Sequence, residues 1–340
     1  MEKMRIVAIA ATLAVVVVAP AFAGGVEEAP RVIGPEAPML GKGALGLNGL
    51  AILEVALPAE YSYNPAILPW ALREFQEEDY AEIDRGVVNF RWGPRVQNWW
   101  QVYCHQLKPG SAFRLARYAI SSTSEEIAYW EKGPKVSFSG ETYEVAYGKM
   151  GRRSGWGIAL VPFEKVNTFI CNEEGINLGR GEARSHTHLR LGGVFLPSSK
   201  VSLGLVYTFD RNKAKTVLLP PLAEGWTELD GRYTERLWTV GAGLQPRKGT
   251  AAFAAWQQGR IKGVNLSERI NLLAFGVNQF LTSHLAIRVG VYDRTPGYAL
   301  IYYHQGWNAG ISYSRGTYRR TEKYLGRADD TAYLWVGKSF

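Results

Sequence analysis

His186, His188 and Arg190 occupy alternate positions in the run Ser185-His-Thr-His-Leu-Arg190, so they share one face of an extended strand. Two imidazoles at i and i+2 could hold a metal ion together. No cysteine or carboxylate pair stands near them in the sequence to complete a ligand set, and polar lining of an enclosed space is the competing use. Arg190 and Arg288 each oppose apolar residues in alternating runs. A guanidinium there could bind a carboxylate by charge-assisted hydrogen bonding, or pair with an acid of the chain such as Glu144. Arg315, Arg319, Arg320 and Lys323 form a basic group that could hold phosphates or stay solvated. Hydrolase signals are absent: there is no Gly-x-Ser-x-Gly elbow, no His-Glu-x-x-His zinc motif and no phosphate-cradling loop. Ser185 beside His186 makes no dyad, because neighbours on a strand face opposite ways. The residues therefore indicate a protein that is not an enzyme, with no cofactor and no metal.

The elements that must carry these side chains are strands. From Gly86 onward, runs of eight to twelve residues alternate apolar with small or polar, and each ends in a turn. Val201, Leu203, Leu205, Tyr207 and Phe209 share a face opposite Ser202, Gly204, Val206 and Thr208. Leu285, Ile287, Val289 and Val291 likewise oppose His284, Ala286, Arg288 and Gly290, and Trp307, Ala309, Ile311 and Tyr313 oppose Asn308, Gly310, Ser312 and Ser314. About fourteen such strands can be drawn. Their connections alternate for most of the chain between short (108–110, 151–154, 197–199, 245–248, 281–282, 305–306) and long (121–140, 164–184, 211–232, 259–267, 316–330). A closed even-stranded barrel with both ends on one side of a membrane requires that alternation, whereas a sandwich does not. Tyr147, Trp156, Tyr303 and Trp307 fall beside short turns, and Tyr207, Phe209 and Tyr313 beside long loops, as two aromatic belts would.

The two ends of the chain agree. Residues 1–23 read as a cleavable secretory signal: Lys3 and Arg5 lead an apolar stretch, and Ala21-Phe22-Ala23 is a small-x-small cleavage box. Thr331 to Phe340 is an alternating strand with an aromatic carboxyl terminus, and it resembles the terminal signature by which bacterial outer-membrane barrels are inserted. That likeness makes Phe340 the insertion signal and the barrel assembly machinery a partner. Lys338 stands where an apolar residue is usual, although its ammonium can rise to the headgroups. No later stretch is apolar enough for a spanning helix. The net charge of +8 suits a solvated or lipopolysaccharide-facing surface, and an exported chain meets little nucleic acid. Cys104 and Cys171 fall at opposite ends of the proposed barrel, which separates them too far for a disulfide.

Before the strands lies a different segment. Leu40 to Gly49 is rich in glycine, and Asn64-Pro65-Ala66 opens a helix drawn through about Tyr80, with Asn64 as cap, Pro65 in the first turn, and Ile67, Trp70, Ala71 and Phe75 as its apolar side. Glu74, Glu77, Glu78, Asp79 and Glu82 would crowd its unfavourable carboxyl end. A glycine-rich stretch, then Asn-Pro-Ala, then about fourteen strands ending in phenylalanine resembles the long-chain fatty acid outer-membrane transporter (FadL-like) family. That family also includes aromatic-hydrocarbon channels and PorV-type secretion subunits. The resemblance implies that the amino-terminal segment is a hatch plugging the barrel, with Asn64, Pro65 and Ala66 in its corner.

The expectation is thus an all-β, transmembrane, antiparallel up-and-down barrel of about fourteen strands with an N-terminal plug containing a short helix. Its parts are a signal (1–23), a hatch (24–84) and a barrel (85–340). His186, His188, Arg190 and Arg288 would face the lumen, and Arg315, Arg319, Arg320 and Lys323 would form an external basic loop. The resemblance implies a channel in the outer membrane of a Gram-negative-type bacterium for passive uptake of small hydrophobic molecules. The alternative is a non-transporting barrel whose loops bind partner proteins. Outer-membrane lipids, lipopolysaccharide and a hydrophobic small molecule are the expected partners, and nucleic acid is not.

Overall fold

The computed structural model describes residues 64–74, 79–90, 95–122, 135–171, 177–218, 227–247, 249–262, 267–292, 295–317 and 329–339. The signal, the glycine-rich stretch, Phe75, Phe340 and residues 318–328, which include Arg319, Arg320 and Lys323, lie outside them.

Fourteen strands close into one antiparallel barrel. They are β1 (Asp79–Phe90), β2 (Arg95–Lys108), β3 (Ser111–Ser122), β4 (Lys135–Met150), β5 (Ser154–Cys171), β6 (Asn177–Ser198), β7 (Val201–Leu218), β8 (Thr227–Arg247), β9 (Thr250–Lys262), β10 (Ser267–Phe280), β11 (Leu285–Tyr292), β12 (Thr295–His304), β13 (Trp307–Thr317) and β14 (Asp329–Ser339). The ring closes where β1 pairs with β14, from Glu82 opposite Ser339 to Phe90 opposite Thr331. Closure removes the exposed edges that an open sheet would leave in lipid without hydrogen-bond partners. Short turns join the strands at one end. One of them, Gln305-Gly306, places both residues at positive φ (46° and 78°), the hand that matches the twist of the flanking strands.

The greasy face of the alternation points outward. Leu160, Leu205, Val240, Leu273, Ile311 and Leu334 are exposed, while Ser202, Thr208, Arg288 and Asn308 on the other face are buried in the lumen. So large an exposed apolar band fits a hydrocarbon solvent. Trp156 and Trp307 are outward and half-exposed beside short turns, and the Lys338 ammonium lies 5.2 Å over the Trp307 ring, which accommodates the misfit cation of the last strand. One expected belt residue is misplaced: Tyr303 faces the lumen at 8 % exposure, and Tyr302 takes the outward position.

Two boundaries differ from expectation. The barrel begins at Asp79 and not near 85, so the helix α1, described over Leu68–Glu74, cannot run on to Tyr80, which lies in β1. The acidic residues from Asp79 to Asp84 lack an apolar alternation, yet their backbones ladder with β2 from Asp79 opposite His105 onward, and Asp79 accepts hydrogen bonds from Tyr103 (2.7 Å) and His105 (2.8 Å). The long connections 164–184 and 211–232 are largely strand, since β5 to β8 run on to Cys171, Asn177, Leu218 and Thr227. Val217 and Leu218 therefore belong to β7, and residues 219–222 lie outside the described segments. Cys104 is buried near the short-turn end of β2 and forms no disulfide, while Cys171 closes β5 at the opposite end.

Candidate functional site

Fourteen strands spaced about 4.8 Å apart and tilted near 40° enclose a ring roughly 28 Å across between backbones, too wide for wall side chains alone to fill. Residues 64–74 occupy part of that space. Asn64 and the 3-10 turn Pro65–Ile67 are buried against β4, β5 and β6, and α1 packs against β2, β3 and β4. Asn64 works at both ends of its side chain. Its Oδ1 accepts from Ala66 N (3.0 Å), capping the turn, and its Nδ2 donates to the Gly193 carbonyl on β6 (2.9 Å).

The wall is shaped for this corner by glycine. A Cβ at Gly148 would overlap the Pro65 carbonyl, one at Gly157 would come within 2.5 Å of Ala66 N, and one at Gly192 would overlap Asn64 Oδ1. Three neighbouring strands therefore present bare backbone where the plug docks. In the sequence these glycines are spread over more than forty residues and form no motif. Their signal was available in it, as glycine at inward positions of successive strands.

Beyond the corner the lumen has two characters. Leu68 and Leu72 of α1 belong to an apolar cluster with inward-facing Tyr80, Tyr118, Ile120, Phe280 and Ile301. Along β3 to β7 the wall is ionic: Arg114 donates to Glu144 (2.5 Å), and Arg190 donates to the other oxygen of the same carboxylate. Arg190 is thus engaged by Glu144, one of the two partners its sequence context allowed. Arg288 is buried, donates from Nε to Asn278 (2.6 Å) and lies 6.0 Å over the Phe253 ring. Near the short-turn rim, a cleft of about 320 Å³ opens between Trp70, Arg153, Leu196 and Lys200.

His186 and His188 do not share a face. The β6–β7 register slips between Ser185 and Thr187, so His186 bulges out and is exposed while His188 is buried in the lumen. The expectation that no carboxylates stand near is also corrected. His188 Nδ1 lies 3.9 Å from Glu164 on β5 and 4.0 Å from Asp210 on β7. Asp210 is the register partner of His188. Glu164 reaches the lumen through a second irregularity: the β4–β5 register slips between Tyr143 and Val145, Pro162 and Phe163 both face out, and the alternation reverses. Strict period two would have put Glu164 in lipid. Of the external basic group, the structure places only Arg315, on β13.

No protein-family model matches the chain, and no curated protein matches it. Solved structures do. The toluene transporter TodX of Pseudomonas putida superposes with a TM-score of 0.54 at 12% identity, covering 86% of this chain and 92% of that one. The toluene transporter TbuX of Ralstonia pickettii gives 0.54 at 11% identity, over 83% and 93%. A FadL homologue of Pseudomonas aeruginosa gives 0.50 at 12% identity, over 83% and 94%. The chain shares the barrel fold of these proteins across most of its length.

Proposed function

We propose that this protein is an outer-membrane channel that passes small hydrophobic molecules by diffusion, with the segment around Asn64 to Glu74 as its gate. The observation that carries the reading is the apolar inner wall around α1: Tyr80, Ile120, Phe280 and Ile301 face a space that a water-conducting porin would line with polar groups. Displacing α1 would open a greasy path toward the rim cleft at Trp70. The fold shared with proteins described as toluene transporters supports the same reading, which involves no catalysis. The outward apolar band supports outer-membrane lipid and lipopolysaccharide as its surroundings.

The ionic wall bears on the solute. Along it, Glu144 engages both Arg114 and Arg190, so a fatty carboxylate would have to compete with that carboxylate for these guanidinium groups, and a neutral hydrocarbon suits the lumen better. The test is planar-bilayer conductance of the full chain against a variant lacking residues 40–74, with folding of both checked by heat-modifiable migration. The gate predicts a leak in the deletion. An unchanged leak overturns the gate and favours the alternative of a scaffold barrel, which a stoichiometric protein partner recovered from native membranes would then identify.

A further inference from the structure

We infer that Glu164, His188 and Asp210 form a divalent-cation site in the lumen that ties β5, β6 and β7 together, with zinc as the probe of its class. Three observations meet here. The donor atoms of the three residues lie within 4.8 Å of one another, and all three residues are buried. His188 is 8 % exposed, and among the described residues neither of its ring nitrogens has a hydrogen-bond partner, although a buried imidazole costs free energy unless at least one is satisfied. Finally, the two carboxylates approach Nδ1 to 3.9 and 4.0 Å, beyond hydrogen-bond reach yet close to the separation that ligands of one ion require.

For zinc with metal–ligand distances of about 2.0–2.1 Å, tetrahedral donors stand about 3.3 Å apart, so the two His188 contacts must close by about 0.6–0.7 Å and the two carboxylate oxygens, within 4.8 Å of each other, by up to about 1.5 Å. Side-chain rotation on fixed strands achieves that. One imidazole and two carboxylates suit a first-row transition cation better than calcium or magnesium, which take oxygen ligands. Two negative charges from the carboxylates would balance the ion, and the fourth position would be left to water. The local fold is bent to make the set. Glu164 faces inward only because of the irregularity at Pro162-Phe163, and His188 is separated from His186 by the slip at Ser185. Bulges that re-aim side chains are characteristic of functional positions.

The test uses the full chain, purified in detergent, stripped with EDTA and titrated with Zn2+ by calorimetry and with Co2+ by visible absorption. Folding is checked by heat-modifiable migration on gels. Wild type binds one zinc tightly and gives cobalt d–d bands. His188→Ala lowers that affinity by more than about 100-fold, since losing a ligand costs more than losing an outer-shell partner. The bands vanish with it, and zinc no longer raises the thermal midpoint. Asp210→Asn, nearly isosteric, gives the same direction if His188→Ala folds poorly. His186→Ala and His284→Ala, the latter removing one ring of the His284–His304 pair, leave the site intact. The inference is overturned if stripped wild type binds no more zinc than His188→Ala, which would leave His188 a plain ion-pair partner of the two carboxylates. It is equally overturned if His284→Ala abolishes the binding.

Discussion

Asn64→Ala isolates the docking of the plug from the folding of the barrel. The change deletes two hydrogen bonds, from Ala66 N to Asn64 Oδ1 and from Asn64 Nδ2 to the Gly193 carbonyl, and adds no bulk. Each bond contributes about 0.5–1.5 kcal/mol net, and each buried backbone group left without a partner costs about 1–3 kcal/mol. Water entering the vacated space recovers part of this, so a loss of about 2–4 kcal/mol is expected for the docked corner. At about 1.4 kcal/mol per factor of ten, the undocked population rises roughly 30- to 700-fold. Hydrogen exchange with mass spectrometry reads it directly. Amides between Ala66 and Leu72 exchange faster by about that factor, while amides of β9 and β13, which contribute nothing to the apolar cluster around α1, keep their protection. Unchanged exchange across 66–72 would refute the claim that Asn64 holds the plug, and a general loss of protection would show that the corner belongs to the barrel's own stability.

Other perturbations probe separate parts of the account. Gly157→Val sets a branched side chain where a Cβ alone comes within 2.5 Å of Ala66 N, so it expels the corner and raises conductance while the barrel still folds; a wild-type leak contradicts the cradle. Glu144→Gln strips two buried guanidinium groups of their shared carboxylate and destabilises the barrel by about 3–5 kcal/mol in reversible urea unfolding, whereas Arg190→Ala costs less because Arg114 keeps its partner. Leu273→Arg puts a charge on the outward face at the middle of β10, and folding into liposomes is weakened by about 2–4 kcal/mol if that face meets hydrocarbon. No effect there would remove the membrane from the account.

The barrel was legible in the sequence because lipid enforces period two: wherever a strand crosses the apolar band, as in Val201 to Thr208 or Leu285 to Val291, the faces separate cleanly. The signal faded where the wall leaves that band. Arg211 to Thr216 and Arg180 to Arg184 are mostly polar on both faces, so they read as loop, yet their backbones continue the ladder. Bulges were the second blind spot. A single inserted residue reverses every later side chain, and apart from Pro162 nothing in the residue types marks the two slips that part His186 from His188 and turn Glu164 inward. The Asn-Pro-Ala corner carries its own cap and turn chemistry and so was visible, whereas its glycine cradle is spread over β4, β5 and β6 and becomes a site only when the strands are placed side by side.

The most direct trial of the channel reading is flux. Cells lacking their own hydrocarbon uptake, producing either the full chain or none, are given radiolabelled toluene and, separately, a radiolabelled sugar of similar size. The account predicts faster entry of toluene with the protein present, no gain for the sugar, and a toluene rate altered by Asn64→Ala. Toluene entry equal to that of protein-free cells, or sugar entry accelerated as much as toluene, would contradict it.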